Sequence, residues 1–255
     1  MLFAVSNLKN PIFVVENNTD MNKYRHLFFD LDNTLYDFDA NSYLALEEAF
    51  RQLNILPELP SFAEYFEVYA EINHKLWAEY RDQRMSKEVL RGKRHKDSLA
   101  RFGVVPEISP TEIDDRYLKI MTTQTELFPN TAEVLGELKK RGYAIHIITN
   151  GFKEVQQDKL INTGLNRFIT DVYISEEIKA PKPAKEIFEY AIKSSNARKK
   201  ESLMIGDSWE SDIIGAKKYG IDQVFFKLND EAIDYNGYGH PTYTITELKE
   251  LLNIL

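Results

Sequence analysis

The chain has 255 residues, and its hydrophobic content of 43% is enough to bury the core of one large domain or of a medium domain with an insertion. It contains no cysteine, which excludes a disulfide framework, thiolate metal sites and a cysteine nucleophile. Its 40 acidic and 32 basic side chains give a net charge of −8, which argues against nucleic-acid polymers and anionic membranes as partners.

The sequence also lacks the features of a membrane or secreted protein. No apolar run approaches the roughly 18–20 residues that span a bilayer. The N-terminus has no basic region followed by a long apolar stretch, as a secretion signal would. We therefore predict a cytoplasmic protein, and the sequence leaves its oligomeric state open.

The beginning of the chain matches neither of the two patterns that follow it. Residues 17–20 are typical of a loop, and Met21 stands shortly before the first notable acid, Asp30. We therefore predict that residues 1–20 are an N-terminal extension and that Met21 is the native start. Residues 26–32 then form a short apolar run that ends in acids, which indicates a buried strand.

From about residue 39 the pattern changes to long helices. The apolar spacing predicts four of them, separated by proline and glycine, at 41–53, 61–80, 86–102 and 111–125. No strand-like run interrupts this region. We predict that residues 39–127 form an all-helical cap domain, inserted directly after the first strand.

After residue 128 short apolar strands alternate with helices. The predicted strands are 144–149, 172–175, 202–206, 223–227 and 242–245, and the predicted helices are 131–140, 153–162, 184–194, 211–219 and 246–254. This alternation is typical of βαβ units and of a parallel sheet covered on both faces. We therefore predict an α/β fold whose core consists of residues 21–38 and 128–255.

Two aspartates close the first predicted strand. Asp30 and Asp32 are two residues apart, so on a strand their carboxylates share a face about 6.5–7 Å apart and approach one site together. Ligands of open parallel sheets bind outside the carboxyl ends of the strands, which is where these acids are predicted. For this pattern alone, an acidic turn without function is the alternative.

The second predicted strand ends in groups that suit an oxyanion. Thr149, Asn150 and Gly151 offer a hydroxyl, an amide and an open backbone, each able to donate a hydrogen bond to phosphate. Lys182 lies between two prolines at the start of a predicted helix. The prolines limit the freedom of the backbone there and so fix the direction of the lysine ammonium group. Taken singly, these residues also fit a helix N-cap and a solvated lysine.

Asp207 and Asp212 follow the fourth predicted strand, where two carboxylates across a strand-to-helix turn suit a hard cation such as Mg²⁺. N-capping is the alternative for either acid. Together, these groups reach one edge of the predicted sheet, and phosphoryl transfer through an aspartyl-phosphate requires such a set. Asp30 is the candidate nucleophile, and Asp32 is placed to protonate the leaving oxygen and then to activate water.

These residues resemble the four motifs of the haloacid dehalogenase (HAD) superfamily. The motifs are Asp30-Leu31-Asp32-Asn33-Thr34, Thr149-Asn150-Gly151, Lys182-Pro183, and Gly206-Asp207 with Asp212. The resemblance covers about residues 26–255 and implies a Rossmann-like core with a helical C1-type cap between the first two motifs. Because dehalogenases of this superfamily lack an acid at the position of Asp32, it also implies a phosphatase or a phosphomutase.

The same resemblance implies a division of roles within the site. It implies that Mg²⁺ is held by the Asp30 carboxylate, the Asp32 backbone carbonyl and Asp207, with Asp212 in support. It also implies that the substrate phosphate is held by Thr149, Asn150 and Lys182.

A closer similarity is to the YjjG-type noncanonical pyrimidine 5′-nucleotidases, which remove phosphate from pyrimidine nucleoside monophosphates, including dUMP, dTMP and modified forms. It rests on residues 69–80, 148–152, 159–165, 174–178 and 182–191. We therefore predict a Mg²⁺-dependent phosphatase that acts on these small molecules through an aspartyl-phosphate. The alternatives are a HAD phosphatase of phosphoglycolate or of a sugar phosphate, and a mutase similar to β-phosphoglucomutase.

Residues of the predicted cap would decide the substrate, because the core motifs contact only phosphate and metal. Trp77 and Tyr80 share one predicted helix, where they either stack on a base or belong to the core. Residues 81–101 carry eight basic and three acidic side chains, which either draw an anionic nucleotide to the cleft or form a solvated face. Trp77 and Arg94 are the candidate substrate contacts.

A phosphorylation-dependent receiver domain is the competing class, since it also uses clustered acids, a hydroxyl, a lysine and an aspartyl-phosphate. A receiver is about half this length, has no cap and carries its acceptor aspartate after the third strand, whereas Asp30 follows the first. A non-catalytic member of the fold is the other alternative, although every expected catalytic position is present.

Overall fold

The computed structural model describes residues 23–228, 235 and 237–255. The predicted N-terminal extension, residues 1–20, and the predicted start at Met21 lie outside the described residues. Within the described part, the strands are β1 (His26–Phe29), β2 (Ala144–Thr149), β3 (Asp171–Ile174), β4 (Ser202–Gly206), β5 (Asp222–Phe226) and β6 (Tyr243–Ile245). They form one parallel sheet in the order β3-β2-β1-β4-β5-β6, which confirms the predicted α/β fold.

The first strand lies inside the sheet, between β2 and β4. Its residues Leu27, Phe28 and Phe29 are fully buried, as is usual for a parallel strand with both faces covered. Phe29 is level with Ile147 of β2 and with Ile205 of β4. The residues that follow these three strands therefore lie side by side at the carboxyl edge of the sheet.

Four α-helices follow β1 directly in the chain. They are α1 (Phe38–Gln52), α2 (Phe62–Arg81), α3 (Lys87–Ala100) and α4 (Pro110–Met121), and together they are called the helical insertion below. Ser61, Ser86 and Ser109 precede three of them, and each hydroxyl accepts a hydrogen bond from the backbone N–H three residues later. The predicted helices 61–80 and 86–102 therefore start one residue early, because their first serine is an N-cap.

The two segments that connect the insertion to the sheet lie beside each other. The N–H of Phe128 donates to the carbonyl of Leu35 at 3.1 Å, and the N–H of Asp37 donates to the carbonyl of Glu126 at 3.2 Å. The insertion thus leaves and rejoins the sheet region at neighbouring points. Its division from the core as a cap domain of residues 39–127 stays a prediction.

The described residues after the insertion contain α5 (Thr131–Lys140), α6 (Lys153–Asn162), α7 (Ser175–Ile178), α8 (Lys185–Ser194), α9 (Gly215–Tyr219) and α10 (Leu251–Ile254). The predicted helix 211–219 begins instead with a wider π-helical turn, because the N–H of Ile213 bonds to the carbonyl of Ser208, five residues earlier. The predicted last helix, 246–254, is shorter because a 3₁₀ turn precedes α10. Within the described part of the chain, no helix has the length and apolar character needed to cross a membrane.

Candidate active site

Three carboxylates meet at the carboxyl edge of the sheet. Asp30 follows β1, Asp207 follows β4, and the π-helical turn brings Asp212 back toward the end of β4. One oxygen of each acid lies within 4.8 Å of an oxygen of the other two. The N–H of Ser208 donates to Asp212 Oδ2 at 3.1 Å, and a Cβ at Gly206 would lie 2.2 Å from that oxygen, so only glycine leaves room here.

Lys182 places one positive charge among these acids. Its Nζ lies 2.6 Å from Asp30 Oδ1 and 2.7 Å from Asp212 Oδ1, and the side chain is buried. Asn150 holds this lysine by its backbone: Asn150 Oδ1 accepts from the Lys182 N–H at 2.8 Å, and Asn150 Nδ2 donates to the Lys182 carbonyl at 3.0 Å. The Asn150 side chain therefore uses both of its polar atoms to fix the lysine that is predicted to hold phosphate.

The cluster holds more buried negative charge than Lys182 compensates. Burial raises the pKa of Asp30 to about 7, although the lysine lowers it, and burial together with Asp30 raises the pKa of Asp207 well above its usual range. Burial would lower the pKa of Lys182, but Asp212 and Asp30 raise it above its ordinary value, so the ammonium stays charged. The three carboxylates offer oxygen donors close to one another, a set that suits a divalent cation such as Mg²⁺.

Asp32 is held by α6. Its Oδ1 accepts a hydrogen bond from Lys159 Nζ at 2.6 Å, and its Oδ2 accepts one from Gln156 Nε2 at 2.9 Å. Gln156 Nε2 also donates to Thr149 Oγ1 at 2.6 Å, so the threonine oxygen is an acceptor here and its own hydrogen remains for a ligand. Our sequence reasoning missed Gln156 and Lys159; their spacing of three residues, on the helix after Thr149, was the available signal.

A cavity of about 480 Å³ adjoins these residues. Its lining combines the strand-end groups, including Asp30, Asp32, Thr149 and Lys182, with one face of α2. The α2 residues in the lining are Phe66, Tyr69, Ala70, Asn73, His74, Trp77 and Arg81. A cavity of this size, with apolar walls and a few convergent polar groups, is typical of a small-molecule site.

Trp77 lines the cavity and also packs against neighbouring rings. Its ring centroid lies 4.9 Å from that of Phe152, just before α6, and 5.5 Å from that of Tyr80. The two alternatives for this tryptophan, contact with a ligand and packing in the protein, are therefore compatible. Packing on Phe152 holds the indole at the wall.

Arg94 is placed behind the cavity wall. It is buried within the insertion, where its Nε donates to Asp114 Oδ1 at 2.7 Å and its Nη1 lies 3.4 Å from Asn73 Oδ1. The predicted contact of Arg94 with substrate stays a prediction: the guanidinium pairs with Asp114 and contacts Asn73 of the cavity lining. The predicted positive excess around it is also largely compensated, since acids pair with Arg84, Lys87, Arg91 and Lys93.

Comparison with known proteins identifies the family. The sequence model of the haloacid dehalogenase-like hydrolases matches residues 24–220, and the chain belongs to this family. Pyrimidine 5′-nucleotidase YjjG of Escherichia coli is 32% identical over 235 residues, which cover 91% of this chain and 98% of YjjG. A glyceraldehyde 3-phosphate phosphatase of Pyrococcus furiosus is 30% identical over 245 residues, which cover 92% of this chain and 94% of that protein.

A solved structure agrees with these relatives. The HAD-hydrolase YfnB from Bacillus subtilis, bound to magnesium, matches with a TM-score of 0.81 and 29% identity, over 91% of this chain and 99% of that one. The predicted superfamily and the predicted enzyme class are thus confirmed. The chain is a phosphatase of the HAD family.

Proposed function

We propose that this phosphatase hydrolyses pyrimidine nucleoside 5′-monophosphates, that it depends on Mg²⁺, and that it proceeds through an aspartyl-phosphate on Asp30. The observation that carries the proposal is the cavity in which Asp30, Lys182 and the acid cluster share one space with the aromatic and polar face of α2. Groups for phosphoryl transfer and a wall that contacts a leaving group are thus within reach of one small molecule.

The residues at the strand ends suit a reaction in two halves. The Asp30 carboxylate attacks phosphorus as the bond to the leaving oxygen breaks, and Asp32 gives that oxygen a proton. Lys182 and Thr149 donate hydrogen bonds to the transferred group and stabilise the charge on its oxygens. Asp32 then takes a proton from water, the water oxygen bonds to phosphorus, and the Asp30 carboxylate is released together with inorganic phosphate.

Asp30, Asp207 and Asp212, with the Asp32 carbonyl, are the residues proposed to hold Mg²⁺. Their carboxylate oxygens already lie within 4.8 Å of one another, and the buried negative charge exceeds the charge of Lys182. When bound, the ion supplies positive charge that neutralises the carboxylates and orients the phosphate. The magnesium in the YfnB structure supports this assignment.

The α2 face supports a nucleotide as the substrate. Trp77 offers an aromatic surface to a base, Asn73 offers an amide and Arg81 offers a cation, all at helical spacing on one face. The activity named for YjjG supports a pyrimidine base. The activity named for the Pyrococcus relative makes a sugar phosphate the alternative.

A panel of phosphomonoesters tests the substrate class. We expect kcat/KM to be higher for dUMP and dTMP than for glyceraldehyde 3-phosphate, phosphoglycolate or glucose 1-phosphate. If one of the latter three exceeds every nucleotide, the nucleotide proposal is wrong while the phosphatase assignment stands. Isomerisation of the glucose phosphate would indicate a mutase.

Replacing the Asp30 carboxylate with an amide tests whether Asp30 is the nucleophile. Asp30→Asn should lower phosphate release from dUMP by about 10³-fold or more, because the amide cannot act as the nucleophile. Asp158→Asn is the matched control, since Asp158 is exposed on α6 and should leave the rate unchanged. Near-normal turnover by Asp30→Asn would contradict the nucleophile assignment.

A further inference from the structure

Asp32 is enclosed by two donors from a single helix. Lys159 Nζ lies 2.6 Å from one of its oxygens, and Gln156 Nε2 lies 2.9 Å from the other. Both donors are buried, with Lys159 only 3% exposed. A lysine on a helix ordinarily extends into water, so a buried lysine that ends on a carboxylate indicates a specific requirement at that carboxylate.

The local backbone is adapted to the position of Gln156. Its Nε2 is shared between Asp32 and Thr149 Oγ1, the latter at 2.6 Å, so one side chain joins two groups predicted to act on the phosphate. A Cβ at Gly151 would lie 2.1 Å from the same Nε2. The glutamine therefore reaches both partners only because residue 151 has no side chain.

Lys159 is confined on its other side by aromatic rings. Its Nζ lies 4.6 Å from the ring centroid of Tyr36 and 5.2 Å from that of Phe38, which is favourable for a cation. Tyr36 is itself fixed, because its hydroxyl donates to the carbonyl of Met121, the last residue of α4, at 3.2 Å. The ammonium is thus held between Asp32 and the segment that leads into the insertion.

We propose that Gln156 and Lys159 are positioning residues that fix the orientation of the Asp32 carboxylate for proton transfer. This inference rests on the proposed function, in which Asp32 gives a proton to the leaving oxygen and later takes one from water. Each carboxylate oxygen has two acceptor positions, so a hydrogen bond to each oxygen still leaves a position for the transferred proton. Fixed orientation matters because a displacement of about 1 Å near the reacting groups lowers a rate by up to about 10²-fold.

The leaving group provides a readout that a purely structural role would not change. The alkoxide that leaves from dUMP needs a proton from Asp32, whereas p-nitrophenolate leaves without one. In single-turnover quench experiments, Gln156→Leu and Lys159→Met should slow release of deoxyuridine by about 10- to 100-fold. Release of p-nitrophenol from p-nitrophenyl phosphate should slow by less than about threefold, and KM for dUMP should change by less than about twofold.

Two further variants complete the design. Gly151→Ala displaces Gln156 from the backbone side and should produce the same selective loss with dUMP. Lys153→Met removes an exposed lysine from the same helix and should match the wild type with both esters. Thermal unfolding confirms that each variant is folded before its rates are compared.

Equal slowing of both esters in folded variants, or unchanged release of deoxyuridine, would overturn the proposal. Failure of the wild type to hydrolyse dUMP would instead contradict the proposed substrate. The same comparison is then made with the best alkyl phosphate of the panel, since any alkoxide leaving group requires the proton.

Discussion

At the scale of single residues, Asp114 is the acid that three neighbouring basic side chains share. Its Oδ1 accepts from Arg94 Nε at 2.7 Å and lies 2.9 Å from His95 Nε2, and its Oδ2 accepts from Arg91 Nε at 2.5 Å. Burial would raise the pKa of Asp114, but Arg94 and the hydrogen bond of His95 hold it below its usual range. The buried charge of Arg94 is therefore compensated only while Asp114 is present and ionised.

Asp114→Asn should lower the free energy of unfolding by about 3–5 kcal/mol, because it leaves the Arg94 charge buried without its partner. Asp115→Asn is the matched control, since Asp115 is the next residue of α4 and its side chain is 66% exposed. An exposed pair of this kind contributes about 1 kcal/mol or less. Urea denaturation at neutral pH measures both variants, and similar stabilities would contradict the role of the buried pair.

The sequence shows which residue types these pairs contain but not that they meet. Arg94 and Asp114 lie in different helices, and only the packing of α3 near α4 brings them into contact. Gln156 and Lys159 belong to a helix whose bounds were predicted correctly, yet their contact with Asp32 depends on how that helix lies against the end of β1. Periodicity within one segment carries no information on either contact.

At the scale of secondary structure elements, α3 begins with a lysine that joins the insertion to two helices that follow β2 and β3. Lys87 Nζ lies 2.8 Å from Glu154 of α6 and 2.7 Å from Glu176 of α7, and 4.4 Å from the ring centroid of Phe152. Trp77 of α2 packs on the same phenyl ring. An ion-pair network and an aromatic contact thus hold α2, which lines the cavity, and α3 against the start of α6 and against α7.

Lys87→Met should raise KM for the substrate about two- to fivefold with little change in kcat, because it removes contacts of about 0.5–1 kcal/mol that hold the wall in place. Added NaCl should raise KM of the wild type more steeply than that of the variant, because only the wild type also loses the Lys87 ion pairs. Lys93→Met is the control, since Lys93 pairs with Asp97 inside α3. If KM of Lys87→Met keeps the salt dependence of the wild type, this network is not what holds the wall.

At the scale of the whole molecule, the acid cluster at the carboxyl edge of the sheet opposes folding. Burial raises the pKa of Asp30 to about 7 from an ordinary value of 3.8. A carboxyl whose pKa is raised on folding reduces stability as pH rises through this interval, because the unfolded state loses its proton first. At neutral pH the acid cluster therefore lowers the stability of the metal-free protein, and the proposed Mg²⁺ would offset this effect.

Asp207→Asn should make the metal-free protein more stable than the metal-free wild type, because it removes a carboxyl whose pKa burial and Asp30 raise on folding. Mg²⁺ should raise Tm of the wild type, with about 2.7 kcal/mol gained at 100 times its Kd, and should have little effect on the variant. Thermal unfolding in EDTA and in MgCl₂ measures both effects. Glu210→Gln is the control, since Glu210 is an exposed acid of the cavity lining, and a similar result for it would indicate a general charge effect.

The overall architecture was largely predictable from the sequence, because the strands of a parallel sheet leave a clear pattern of apolar residues. Apolar runs mark the strands, alternation with helices makes them parallel, and parallel strands bring Asp30, Thr149 and Asp207 to one edge. The π-helical turn before α9 was not predictable, because it depends on backbone bonding to Ser208 rather than on side-chain periodicity. The cavity lining on α2 was identified only through Trp77, since the side of a helix that faces a ligand depends on the tertiary structure.

The paired segments around Leu35 and Phe128 have a consequence for how such enzymes diversify. Because the two ends of the insertion are hydrogen-bonded neighbours, the helices can be lengthened, exchanged or lost without a change in the order of the strands. Selection can therefore act on recognition of the leaving group and on transfer of phosphate as separate traits. Under the proposed roles, related proteins would keep the phosphoryl-transfer residues at the sheet edge and would change substrate through the insertion.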